Sequence, residues 1–172
     1  STELLKSLSD TDEYVRAWAI QLLCEDKAPS TEALAQFVKM AKEDPSPIVR
    51  LYLSSAMQRI DHENAWKIVE NLAKHGEDNE DHNLPKMIWF GLEPLIKTNP
   101  KRALELASQT EIPLIAKYVA RRIIDANAPE TVIATLTRFK TLSTLNLISM
   151  LEGMRDGLEG RFDLKAPANW VA

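Results

Sequence analysis

The densest group of chemistry-bearing side chains lies between residues 75 and 82, where His75, Glu77, Asp78, Glu80, Asp81 and His82 crowd together. Imidazole nitrogens and carboxylate oxygens are a donor set that holds divalent cations. Their spacing, however, gives neither a His-x-x-x-His pair on one helix face nor a loop with calcium-ligand positions. Acids ahead of a helix are favoured by the helix dipole alone. The simpler expectation is a helix entry, with Asp81 as N-cap, His82 and Asn83 packing against the next turn, and Pro85 in the tolerated first turn. No metal ligand is assigned.

Arg16 and Arg50 carry planar guanidinium forks that grip carboxylates through two parallel hydrogen bonds. Two partners suit them: a carboxylate ligand, or the acidic turns of neighbouring structural units. Cys24 stands alone, so it makes no internal disulfide and no multi-cysteine metal site. Glu25 and Asp26 beside it oppose thiolate formation and hence nucleophilic activation. There is no Gly-x-Ser-x-Gly elbow, no glycine-rich phosphate loop and no Cys-x-x-Cys-His heme attachment. Catalytic and cofactor-binding residues are therefore expected to be absent from this chain.

The bulk properties fit a folded domain. The chain has 172 residues, 45% of them hydrophobic and 27% charged. Its longest uncharged stretch, Thr141 to Leu151, is broken by Ser143, Thr144, Asn146 and Ser149, far short of the roughly 20 apolar residues a bilayer helix needs. No charged segment followed by an apolar one opens it. The net charge of −4 argues against a surface built on phosphate neutralisation. Even so, Arg16, Arg50, Arg59, Arg121 and Arg122 leave room for a local basic strip. Five glycines, nine prolines and no Asn-Gly or Asp-Gly hairpin signal suit packed helices with short turns.

An internal repeat supplies those helices. The run Asp10 to Ala19 matches Asp44 to Leu53 at an offset of 34 residues: an acidic turn, Val-Arg, one residue, an aromatic, then a small or apolar residue. The same register reaches Leu84, Met87 and Ile88, then Ile115, Tyr118 and Val119. Each such segment follows another helical pattern, over 31–42, 64–74, 100–108 and 129–139, with 142–158 as a fifth second-type helix and residues 3–8 as the remnant of a first. Ser30 or Thr31 and Asn99 offer caps, and Pro100 the first helical position. A single pair cannot bury its apolar face, so pairs must stack. The expected fold is all-α: a right-handed solenoid of about five antiparallel helix pairs forming one domain over 1–172. Val15, Ala19, Leu22, Val49, Leu53 and Ala56 are expected to line its core. Neither end reads as a polar cap, and 158–172, with Pro167, Trp170 and Val171, reads as a tail leading toward a further repeat. The expectation is a piece of a longer array.

The Asp-x-x-x-x-Val-Arg arrangement at Asp10 to Arg16 and at Asp44 to Arg50 resembles the HEAT repeat, an α-α superhelix of the armadillo-like kind. That resemblance implies that acidic residues and arginines of successive second helices tie adjacent turns together, with Asp12, Arg16, Asp44, Arg50 and Asp81 as the inter-repeat residues. Pro85 and Ala116 stand where further arginines are expected, which interrupts the ladder. The runs Asp12 to Gln21, Asp44 to Leu51 and Asp81 to Trp89 are similar to the HEAT-repeat region of large planctomycete-type membrane-bound dehydrogenase or heme-binding proteins, over about Leu5 to Trp170. That likeness implies an extracytoplasmic location and a redox, multidomain parent whose heme c and catalysis lie outside this chain.

Trp18, Tyr52, Met87 and Tyr118 share one position in four successive second helices. They form either a hydrophobic stripe that receives a partner segment or inter-repeat packing. The function expected is a non-catalytic scaffold or protein-interaction module whose partners are other domains of the parent or another protein, with neither nucleic acid nor membrane insertion. The alternative is a HEAT-like enzyme such as an alkylpurine DNA glycosylase, which needs a basic groove with exposed aromatics around a catalytic acid, or a bilin lyase, which needs a large apolar cleft.

Overall fold

The computed structural model describes residues 2–126 and 142–162. Among them are nine α-helices, two short 3-10 helices and no strand, so the described residues are all-α and HEAT-like as expected. The helix expected over 129–139, and Pro167, Trp170 and Val171 of the tail, fall outside the described residues. Where one domain is expected over 1–172, the chain's contacts gather in two compact units, Ser1–Leu95 and Ile96–Ala172.

In the first unit, α1 (Thr2–Ser7) and α2 (Glu13–Leu23) are followed by α3 (Thr31–Glu43), α4 (Pro47–Ala56), α5 (His62–Leu72) and α6 (Leu84–Ile96), the last reaching the unit boundary. Each start from α2 to α6 is set by a short polar side chain that accepts from the orphan N–H groups of a first turn. Asp12 takes the N–H of Tyr14 at 2.8 Å, and Ser30 that of Ala33 at 3.2 Å. Ser46 takes those of Ile48 and Val49 ahead of Pro47, and Asp61 that of Asn64. Asp81 accepts from Asn83 and Leu84, both at 2.8 Å. Second-type helices α2 and α4 stack on each other, as do first-type helices α3 and α5. Helix α6 comes close to the end of α4 at Gly91, where a β-carbon would displace the terminal methyl of Met57 and lie 3.1 Å from the Ser54 carbonyl oxygen.

Two arginine clamps join the repeats. Arg16 Nε and Nη2 donate to the two carboxylate oxygens of Asp44 at 2.8 and 2.9 Å. Its Nη1 reaches back to the carbonyls of Asp10 and Thr11 in its own turn. One repeat on, Arg50 donates to both oxygens of Asp78 at 2.6 and 2.5 Å, while its Nη1 takes the carbonyl of Asp44. Asp10, Asp44 and Asp78 recur at intervals of 34 residues, and it is Asp44 and Asp78 whose carboxylates receive the arginines. Asp12 and Asp81, expected among the inter-repeat residues, instead use their carboxylates as caps. The 3-10 turn Gly76–Glu80 places two residues between clamp and cap where the earlier repeats have one, which moves the clamp away from Asp81.

The core is built from Ala17, Ala19, Ile20, Phe37, Ala41, Val49, Leu53, Ala65, Ile68, Val69, Leu72 and Ile88, among others. Two expected core residues are not in it: Val15 and Leu22 are 39% and 45% exposed, although Val49, at the position equivalent to Val15, is fully buried. Helix α4 is enclosed by α2, α3 and α5, whereas α2 rests on α4 and the six-residue α1. One flank of α2 therefore stays open.

The second unit contains α7 (Pro100–Gln109), α8 (Pro113–Asp125) and α9 (Thr144–Leu158). Asn99 caps α7 through the N–H of Arg102, with Pro100 in the first turn, and Ser143 caps α9. Helices α8 and α9 pack at close range because Gly153 and Gly157 face the α8 backbone. Two polar contacts hold α9 in place: Lys117 Nζ of α8 lies 2.9 Å from Asp156, and buried Asn146 donates to the carbonyl of Thr110, in the turn before α8, at 2.8 Å.

Two substitutions test this packing. Arg50→Ala strands the Asp78 carboxylate, 3% exposed, without its counter-charge, and is expected to cost about 3–5 kcal/mol in urea unfolding. Arg16→Ala, whose clamp is nearer solvent, should cost less. Gly153→Ala drives a methyl into the Lys117 carbonyl oxygen, and its thermal midpoint should fall despite alanine's better helix propensity, by the equivalent of about 1–3 kcal/mol.

Candidate protein-binding groove

Stacking the second-type helices α2, α4 and α6 of the first unit presents one side-chain row from each at the surface. Trp18 and Gln21 come from α2, Leu51, Tyr52 and Ser55 from α4, and Lys86, Met87 and Phe90 from α6, with Asn83 just before it. The three- and four-residue spacing within each helix keeps each row on one face. Together they line an open groove of about 460 Å³. Trp18 and Phe90 are 56% and 53% exposed. The Trp18 and Tyr52 rings lie 6.1 Å apart between centroids with their planes at 58°, a tilted aromatic pair. Gln58 donates through Nε2 to the Phe90 carbonyl at 3.1 Å, tying the α6 wall to the turn after α4.

Three of the four stripe residues, Trp18, Tyr52 and Met87, thus line one groove. Tyr118 lies on α8 of the second unit, half-buried beside buried Val119. Phe90 and Lys86 were not singled out by the repeat pattern. The α6 helical spacing was the available signal, since Phe90 lies one turn beyond Met87 on the same face.

The turn over residues 75–82 distributes its polar groups among structural partners. His75 Nε2 donates to the Ala41 carbonyl at 2.9 Å, and Nδ1 lies 2.8 Å from Glu77. That contact with His75, with its own backbone hydrogen bond, holds the Glu77 carboxyl below the usual range. Glu77 also lies 3.5 Å from Arg50. Asp78 is clamped by Arg50, and Glu80 accepts from Asn79. The N–H groups of Leu84 and Asn83 lower the Asp81 carboxyl as it caps α6. Among the described residues no group of three His, Cys, Asp or Glu side chains is placed to hold a metal ion.

Cys24 closes α2 as its C-cap and is 1% exposed. Burial pushes its thiol up to about 11, against a smaller opposing pull from Arg59. At neutral pH it should therefore resist iodoacetamide in the folded chain and alkylate once urea unfolds it, as mass spectrometry would report. Alkylation at the same rate in both states would refute the burial.

Against known proteins, the family model described as HEAT repeats matches residues 1–82. No curated protein and no solved structure matches the chain. Helices α1 to α5 and the turn holding Asp78 lie within the matched stretch, together with both arginine clamps, so the match to HEAT repeats covers the part of the chain that the clamps join.

Proposed function

We propose that this chain is a non-catalytic interaction module whose first unit docks a protein segment in the groove across α2, α4 and α6. One observation carries this: large apolar side chains from three stacked helices stand in an open groove, with Trp18 and Phe90 more than half exposed. Side chains used only for inter-repeat packing would be covered, as Val49 and Leu53 are. Exposed apolar surface of this kind marks interaction sites, and repeat proteins use the surface made by their stacked helices for binding. The groove has one cation and no carboxylate among its lining residues, which is unlike a basic groove around a catalytic acid.

The same proposal takes the partner to be another domain of the parent chain or a separate protein. The likeness to large membrane-bound dehydrogenases extends it to a redox parent and an extracytoplasmic setting, with any heme c carried elsewhere in that parent.

The test is selection of a phage-displayed library of random dodecapeptides on the full chain, followed by titration of the selected peptides. Trp18→Ala and Phe90→Ala remove half-exposed rings and should leave the chain folded, at a cost of about 1–2 kcal/mol, while weakening binding by about thirtyfold, the mark of an aromatic hot spot. No selection above an unfolded control, or unchanged affinity in both variants, would sink the docking reading.

A further inference from the structure

Resting on that docking reading, we infer that the segment received by the groove carries a carboxylate next to a large apolar or aromatic side chain. The lining is apolar apart from Gln21, Ser55, Asn83 and Lys86, and Lys86 is the single charged residue among them. Lys86 is exposed, and among the described residues it makes no ion pair and no side-chain hydrogen bond. That ammonium borders the apolar rings of the groove.

Its position links the charge to the apolar site. Lys86 lies four residues before Phe90, so the two side chains are neighbours on one helix face, one turn apart. Asn83 lies three residues before Lys86 on that same face and lines the groove too. Its backbone N–H goes to Asp81, and its exposed side-chain amide adds a hydrogen-bond donor to the lining. An apolar side chain seated among Trp18, Tyr52, Met87 and Phe90 therefore brings the adjoining residue of its own chain to the edge where an ammonium and an amide wait. A carboxylate there gains a charge-assisted hydrogen bond, whereas a lysine or arginine meets like charge beside low-dielectric walls. Apolar contact supplies most of the affinity, and Lys86 selects the sign of the neighbour.

The experiment uses the peptides selected on the full chain, with Lys86→Glu as the comparison protein. Sequences selected on the natural chain should be enriched in Asp or Glu within three residues of an aromatic, and selection on Lys86→Glu should shift that enrichment to Lys or Arg. Replacing the acid of the best peptide by lysine should weaken binding to the natural chain roughly five- to tenfold and strengthen binding to Lys86→Glu. Added salt should shrink both differences. Peptides that bind through Trp18 and Phe90 yet show no acidic preference, or the same preference on Lys86→Glu, overturn this inference and leave the docking reading standing. Failure to select any peptide dependent on Trp18 or Phe90 overturns both.

Discussion

The groove depends on how three second-type helices are held side by side, and that spacing depends on the arginine clamps. A stack of amphipathic helices is held together by non-directional apolar burial, which tolerates sliding and rotation of one repeat on the next. A bidentate guanidinium–carboxylate pair tolerates neither, because two parallel hydrogen bonds fix both distance and angle. Arg50 and Asp78 are both 3% exposed, so the pair sits where its geometry is least softened by water. Each clamp also reaches its own repeat's turn: Arg16 takes the carbonyls of Asp10 and Thr11, and Arg50 that of Asp44. Turn, helix and next turn are locked in one register.

The turns that receive the clamps serve as helix entries as well. Asp44 accepts from Arg16 and from the N–H of Ser46, and Ser46 in turn caps α4 and donates to Glu13 of α2. Cap and clamp therefore share a single short hydrogen-bonded link. In the third repeat the extra residue of the 3-10 turn separates the two duties, with Asp78 as clamp and Asp81 as cap. His75 then braces the longer turn against the end of α3 through the Ala41 carbonyl. A run of acids and imidazoles that resembles a ligand set in one dimension is, in three, divided among separate structural partners, with His82 left exposed beside them.

Burial follows from the same arrangement. Positions equivalent by repeat need not have equivalent surroundings, since burial is decided by how many helices surround each one. Val49 is enclosed and Val15 is not, because α4 has α2, α3 and α5 about it while α2 has chiefly α4 and a short α1. In the second unit the close approach of α8 and α9 comes from glycines, with Gly153 and Gly157 removing the side chains that would hold the two backbones apart.

By itself the sequence determined the helical class, the 34-residue period and the caps at Asp81 and Asn99, and it narrowed the α3 cap to Ser30 or Thr31 and the partners of Arg16 and Arg50 to a carboxylate ligand or acidic turns, because each of these is a local property of residue type and spacing. Only the tertiary structure decided which acid each arginine takes, since Asp78 and Asp81 are chemically alike and differ only in where an added residue of the turn puts them. The groove was partly legible: the repeat position named Trp18, Tyr52 and Met87, but Phe90 and Lys86 join it only once α6 lies beside α2 and α4. Tyr118 has the right register and lies in the second compact unit. Exposure belongs to neighbours in space, and a repeat read along the chain counts neighbours only in sequence.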